Sequence, residues 1–188
     1  MTSAGAAARV RRPEEGAAAL VAHLESVNRF VGRAAAWLTL ATVLICFATV
    51  YLRYALGIGL IWLQESYVWT HALVIMLGSG YAFLTGGFIK VDMLYNRMSR
   101  RGQAWVNLGG TMVFLAPFVG MILYSGWSFF LSSWRMSERS QFEGGLPALY
   151  LLKGTLLIFA ALVAVQGVAV ALRALLFLMG RLPEDEAS

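Results

Sequence analysis

The amino-acid sequence predicts an all-α integral membrane protein, with four transmembrane helices preceded by an amphipathic interfacial helix. The first observation behind this is that four stretches contain no Asp, Glu, Lys or Arg: Ala34 to Leu52, Ser66 to Ile89, Gly102 to Trp134 and Gly154 to Leu172. A helix of about 20 residues crosses the roughly 30 Å hydrocarbon core, and each stretch is long enough. The second is that these stretches are apolar all round, whereas a soluble bundle carries charge every third or fourth residue on its outer faces. Composition agrees: 59% of residues are hydrophobic, 13% are charged and the mean hydropathy is +0.68, which leaves little chain for a soluble domain.

The elements follow in order. Residues 1–15 read as a cytoplasmic tail and 16–33 as the amphipathic helix, followed by a membrane domain over 34–177 and a second cytoplasmic tail over 178–188. Within the membrane domain the spans fall at about 34–56, 62–88, 103–131 and 150–177. The segment before Ala34 holds Arg9, Arg11, Arg12, Glu14, Glu15, Glu25, Arg29 and Arg33 without a compact apolar stretch and small-residue cleavage site. It does not read as a cleaved signal, so the first span is expected to stay in the mature protein. Leu20, Leu24, Val27 and Val31 recur at helical spacing while Glu25, Asn28 and Arg29 fall elsewhere. That pattern suits a helix lying in the interface plane; a straight extension of span one is the alternative.

Spans one and two are joined by Ala55 to Leu60, a short connection containing Gly57 and Gly59. Folding this hairpin brings Arg53 and Glu65 to similar depth, where an ion pair would satisfy both charges at the membrane edge; separate snorkelling into headgroups is the alternative. Span two carries Gly78, Ala82 and Gly86, and span four carries Ala160, Ala164, Gly167 and Ala171. Small residues in line let helix backbones approach closely, and in lipid such packing drives association. Pro117 lies inside the long third span and predicts a kink, because the carbonyl of Val113 loses its usual partner. Trp105 near the start of that span, with Trp127 and Trp134 near its end, fits an aromatic belt. The loop from Arg135 to Lys153 is rich in turn residues and holds Glu138 and Glu143.

Orientation follows from the basic residues, since loops on the cytoplasmic side collect Lys and Arg. Eleven fall on the side of the two tails and the loop between spans two and three, against four (Arg53, Arg135, Arg139 and Lys153) on the other. Both termini are therefore expected in the cytoplasm. The net charge of +5 is a topology signal and an attraction to anionic lipid headgroups; no basic aromatic surface supports nucleic-acid binding.

Catalytic chemistry finds few footholds. The two histidines, His23 and His71, do not supply paired haem ligands on neighbouring spans, and the single Cys46 excludes a dithiol mechanism. Cys46, among Leu44, Ile45 and Phe47, reads as a small buried hydrophobe. No span holds a carboxylate near its centre for a metal site. His71 reads as a hydrogen-bonded neutral ring rather than a proton relay. No catalytic, cofactor or metal-binding residues are assigned. A self-sufficient oligomeric transporter or channel, which would lean on Glu65, and a redox protein leaning on His71 are the competing readings.

Several short motifs then fall into a familiar order. They are Arg53-Tyr54, Trp62-Leu63-Gln64-Glu65, the Gly-rich end of span two leading into Lys90-Val91-Asp92, Glu138-Arg139-Ser140 with Gly144-Gly145-Leu146-Pro147, Leu152-Lys153, and Val165-Gln166-Gly167. In this order the chain resembles the small membrane subunit, DctQ-like, of tripartite ATP-independent periplasmic (TRAP) transporters. Phe88 departs from the pattern, standing where many relatives have a His. The resemblance implies a non-catalytic subunit in the bacterial inner membrane. It would brace a large membrane subunit, in which sodium coupling resides, while a periplasmic binding protein transiently delivers an organic anion such as a carboxylate. Arg53, Trp62, Glu65, Lys90, Asp92, Glu138 and Glu143 are the candidates for structural or partner contacts.

Overall fold

No turn separates the amphipathic segment from the first span. In the computed structural model, which describes residues 13–87, 95 and 97–180, the first helix, α1, runs unbroken over Pro13–Ala55 for 43 residues. At 1.5 Å per residue that is about 65 Å, roughly twice the hydrocarbon thickness. Then come α2 (Ile61–Leu84), α3 (Arg100–Gly110), a π-helical turn (Thr111–Leu115), α4 (Ala116–Arg135) and α5 (Leu149–Leu178). Four rods, Ala18–Ala55, Ile61–Leu84, Arg100–Arg135 and Leu149–Leu178, are each long and apolar enough to cross a membrane. Lys90 and Asp92 lie outside the described residues.

The buried stripe on the early part of α1 differs from the expected apolar face. Leu20 and Val27 are 49% and 38% exposed, while Val21, Asn28 and Ala35, seven residues apart, are at most 5% exposed. A seven-residue step keeps one seam facing a neighbouring helix. Here the seam includes Asn28, because α5 supplies polar partners for it. Gly32 lies on the same side, flush beneath Tyr81 of α2, where a Cβ would overlap the Tyr81 side chain. From Val21 onward this segment stands beside α2 and α5.

The small residues of α2 also act differently from their sequence pattern. Gly86 takes φ +71° and ends the helix, with Thr85 N–H donating to Tyr81 O at 2.9 Å; this left-handed conformation is the usual glycine stop signal. Gly78 faces open space, and the close approach falls at Gly80, where a Cβ would overlap Asn28 Oδ1.

The expected kink at Pro117 takes the form of a widened turn. Ala116 N–H reaches back five residues to Thr111 O, and Pro117 then sits in the first turn of α4. Wide turns of this kind accommodate a lost intrahelical bond. Across from it, Gly167 leaves room for the Leu115 side chain.

α5 forms the middle of the bundle and contacts each of the other helices. Of its most apolar stretch 44% is buried, against 6% in each of the other rods. Ala160 and Val163 meet Val119 in the core cluster, joined by Phe83, Leu115, Ile122, Phe159 and Ala164. The small-residue face of span four is thus an internal contact: Ala160 and Ala171 are buried, as is Gly167.

Candidate functional site

Polar side chains gather at the two ends of the bundle. At the loop end, Glu65 projects from the second turn of α2 into the segment between α4 and α5. It accepts a hydrogen bond from Ser140 Oγ and another from Leu146 N–H at 2.6 Å. Ser140 N–H donates to Leu146 O at 3.2 Å, so the carboxylate closes a small ring of loop contacts. The paired glycines divide the work: Gly144 turns the chain at φ +79°, and Gly145 approaches so closely that a Cβ would lie 2.8 Å from Glu65 Oε2.

Glu138 anchors the same loop to the start of α5. Lys153 Nζ donates to Glu138 Oε2 at 2.5 Å and sits 4.1 Å from the centre of the Phe129 ring, an arrangement in which cation and ring attract. The Glu138 carbonyl accepts from Leu149 N–H at 2.9 Å. The hydrogen bond from Lys153 holds the Glu138 carboxyl below the ordinary carboxylate range, and the neighbouring Ser133 hydroxyl acts in the same direction against the cost of desolvation. Trp134 closes the cluster edge-on against Tyr150, with ring centres 4.8 Å apart.

The expected Arg53–Glu65 ion pair does not form. Arg53 is exposed near the end of α1, and the ion pairs among the described residues are Lys153–Glu138 and Arg173–Glu25. The reason is directional: the Glu65 carboxylate turns to the loop, where an N–H and a hydroxyl satisfy both of its oxygens. Trp62 is 47% exposed at the start of α2. Glu143 is exposed, with no hydrogen bond or ion pair among the described residues. His71 is likewise exposed, and the hydrogen-bonded ring expected there is not seen.

The second cluster lies at the other, Arg-rich end. Asn28 is fully buried and donates from Nδ2 to Leu162 O at 3.3 Å and to Gln166 Oε1 at 3.0 Å. Asn28 Oδ1 faces Gly80 without a hydrogen-bond partner. Toward the ends of α1 and α5, Arg173 Nη2 meets Glu25 Oε1 at 2.5 Å. Sequence reasoning missed both links, which join residues 138 and 148 positions apart. The available signals were Gln166 within an otherwise apolar span and the seven-residue step from Val21 to Asn28 to Ala35.

These features describe a membrane bundle fastened at both ends, and among the described residues no group of three or more His, Cys, Asp or Glu is placed to hold a metal ion. No curated protein and no solved structure matches the chain. Residues 42–177, which include α2 to α4, α5 up to its last residue and both loop-end anchors, match the family model described as tripartite ATP-independent periplasmic transporters, DctQ component, and the chain belongs to that family.

Proposed function

We propose that this chain is the non-catalytic small permease subunit of a sodium-coupled TRAP transporter, bracing the large membrane subunit during uptake of an organic anion, a carboxylate, delivered by a periplasmic binding protein. The observation that carries this reading is the unequal burial of the rods. α5 spends its surface inside the chain, while α1 and the third rod present large apolar side chains outward: Phe30, Trp37, Phe47 and Tyr54 on α1, Phe114 on the π-helical turn, and Met121 and Tyr124 on α4, each at least 68% exposed. A bilayer covers such faces, and so does a larger membrane partner that offers complementary packing. The polar groups of the bundle are spent on fastening helices and loop to one another, which suits a support better than a conduit.

On this reading the Arg-rich end, with both termini, faces the cytoplasm of the bacterial inner membrane. The loop fastened by Glu65 and Glu138 faces the periplasm. Arg53, Trp62 and Glu143, exposed at that end, are the side chains available to partner subunits; Lys90 and Asp92 are proposed to anchor the opposite surface. Sodium coupling belongs to the large subunit, and this chain needs no cofactor.

The test is co-purification in mild detergent from the native membrane, followed by mass spectrometry. Recovery of a TRAP large membrane subunit is the expected result. Reconstitution completes it: the chain alone carries no solute, and sodium-driven uptake requires the large subunit and binding protein as well. Solute flux through the chain by itself would overturn the proposal.

A further inference from the structure

The Arg-rich end of the bundle contains a cavity of about 650 Å³ between the end of α2, the start of α3 and the last turns of α5. Several of its lining side chains hold uncommitted donors. Asn28 Nδ2 faces the Leu162 carbonyl, so Gln166 must present its oxygen to that same nitrogen. Gln166 is 3% exposed and lines the cavity. Its Nε2 makes no hydrogen bond among the described residues and is left to face the cavity. Asn107 also lines the cavity and commits its Oδ1, which accepts from Tyr95 OH at 3.1 Å. Gln103 works the other way: its nitrogen is held by the carbonyls of Tyr95 and Met98, which leaves its Oε1 as an acceptor.

Charge points the same way as the free donors. Arg100 and Arg173 both line the cavity, and Glu25 offsets only Arg173. Ser99 and Arg100 bring the N-terminal end of α3, the positive end of its dipole, to the same space. Beside it lies a second, largely apolar hollow of about 520 Å³, walled by Val106, Phe114, Leu115 and Phe118. The two share Phe83, Asn107 and Val170, so a chamber holding free donors adjoins a greasy groove along α3 and α4.

We propose that this pair of hollows binds one acidic phospholipid, with its phosphate on Arg100, Gln166 Nε2, Asn107 Nδ2 and the start of α3, and an acyl chain in the adjoining groove. A phosphate group accepts hydrogen bonds from several directions at once, which matches donors arriving from α3 and α5. A free phosphate anion would satisfy the chamber and leave the groove unexplained.

The test uses the purified full chain in phosphatidylcholine nanodiscs, with phosphatidylglycerol as the probe and retained lipid counted by native mass spectrometry. Wild type should retain phosphatidylglycerol in preference to phosphatidylcholine. Arg100→Gln should weaken that retention roughly tenfold, as expected for loss of one charge-assisted contact. Val170→Phe, which fills the junction of the two hollows, should abolish it, and Arg101→Gln should leave it unchanged. Circular dichroism establishes that each variant remains helical, and the headgroup comparison on wild type stands without any variant. Equal retention of both lipids, or undiminished retention in folded Arg100→Gln and Val170→Phe, would overturn the proposal. So would stabilisation by inorganic phosphate without retention of phosphatidylglycerol, which would assign the chamber to a soluble anion.

Discussion

Asn28 Nδ2 lies 3.0 Å from Gln166 Oε1, and through this contact the first helix is fastened to the last. The pair is buried in the Arg-rich half of the bundle. Asn28→Ala should lower stability by about 0.5–2 kcal/mol, the span measured for hydrogen bonds between membrane helices. Unfolding in mixed micelles measures it, and a double-mutant cycle with Gln166→Leu should show less than additive loss.

Gly80 and Gly32 occupy the closest approaches of α2 and α1, against Asn28 and Tyr81. Adding one methyl group at either position forces the opposing side chain aside. Gly80→Ala and Gly32→Ala should each destabilise by roughly 1–3 kcal/mol, the cost of overpacking. Gly78→Ala, which meets open space, should leave the midpoint of thermal unfolding unchanged or raise it slightly.

Glu65 governs the order of the loop between α4 and α5. Glu65→Ala removes the acceptor for both Ser140 and Leu146, so amide hydrogen exchange should accelerate across residues 138–146. Arg53→Glu should leave that exchange pattern as in wild type. The contrast separates the observed arrangement from an Arg53–Glu65 hairpin pair.

Acid should loosen the same loop through Glu138. Its carboxyl is held below the usual 4.5 by Lys153, so the folded state favours the ionised form more than the unfolded chain does. The resulting stabilisation is fully present above the unfolded value and is lost as pH falls from about that value through the lower folded one. Amide hydrogen exchange across residues 135–146, corrected for the intrinsic pH dependence of exchange, should show protection falling in wild type as the pH drops below about 4.5. In Glu138→Gln, protection should already be lower at neutral pH, with a flatter acid response.

Much of this architecture was legible in the sequence because an unpaired charge is costly in the middle of a bilayer. Four uncharged stretches marked the rods, and Gly144, Gly145 and Pro147 marked the connecting turn. What could not be read was which side of each helix faces inward. In water the buried face is the apolar one, but in a bilayer both faces are apolar, and helical periodicity loses its meaning. Gly80 stands off the regular series through Gly78 and so carries no periodic signal, and Asn28, off the apolar stripe of its helix, is fully buried all the same. Glu65 was recognised as a candidate with the wrong partner, because hairpin proximity to Arg53 says nothing of a loop that returns 75 residues later.

The central place of α5 has a consequence for biogenesis. It is the last of the four described rods to be synthesised, yet every earlier one rests on it. Until residue 149 and those beyond are synthesised and inserted, the preceding segments wait in the membrane without their common keystone. A chain released before that point keeps the α1–α2 contact but leaves Asn28 without Leu162 and Gln166, and Val119 without Ala160 and Val163.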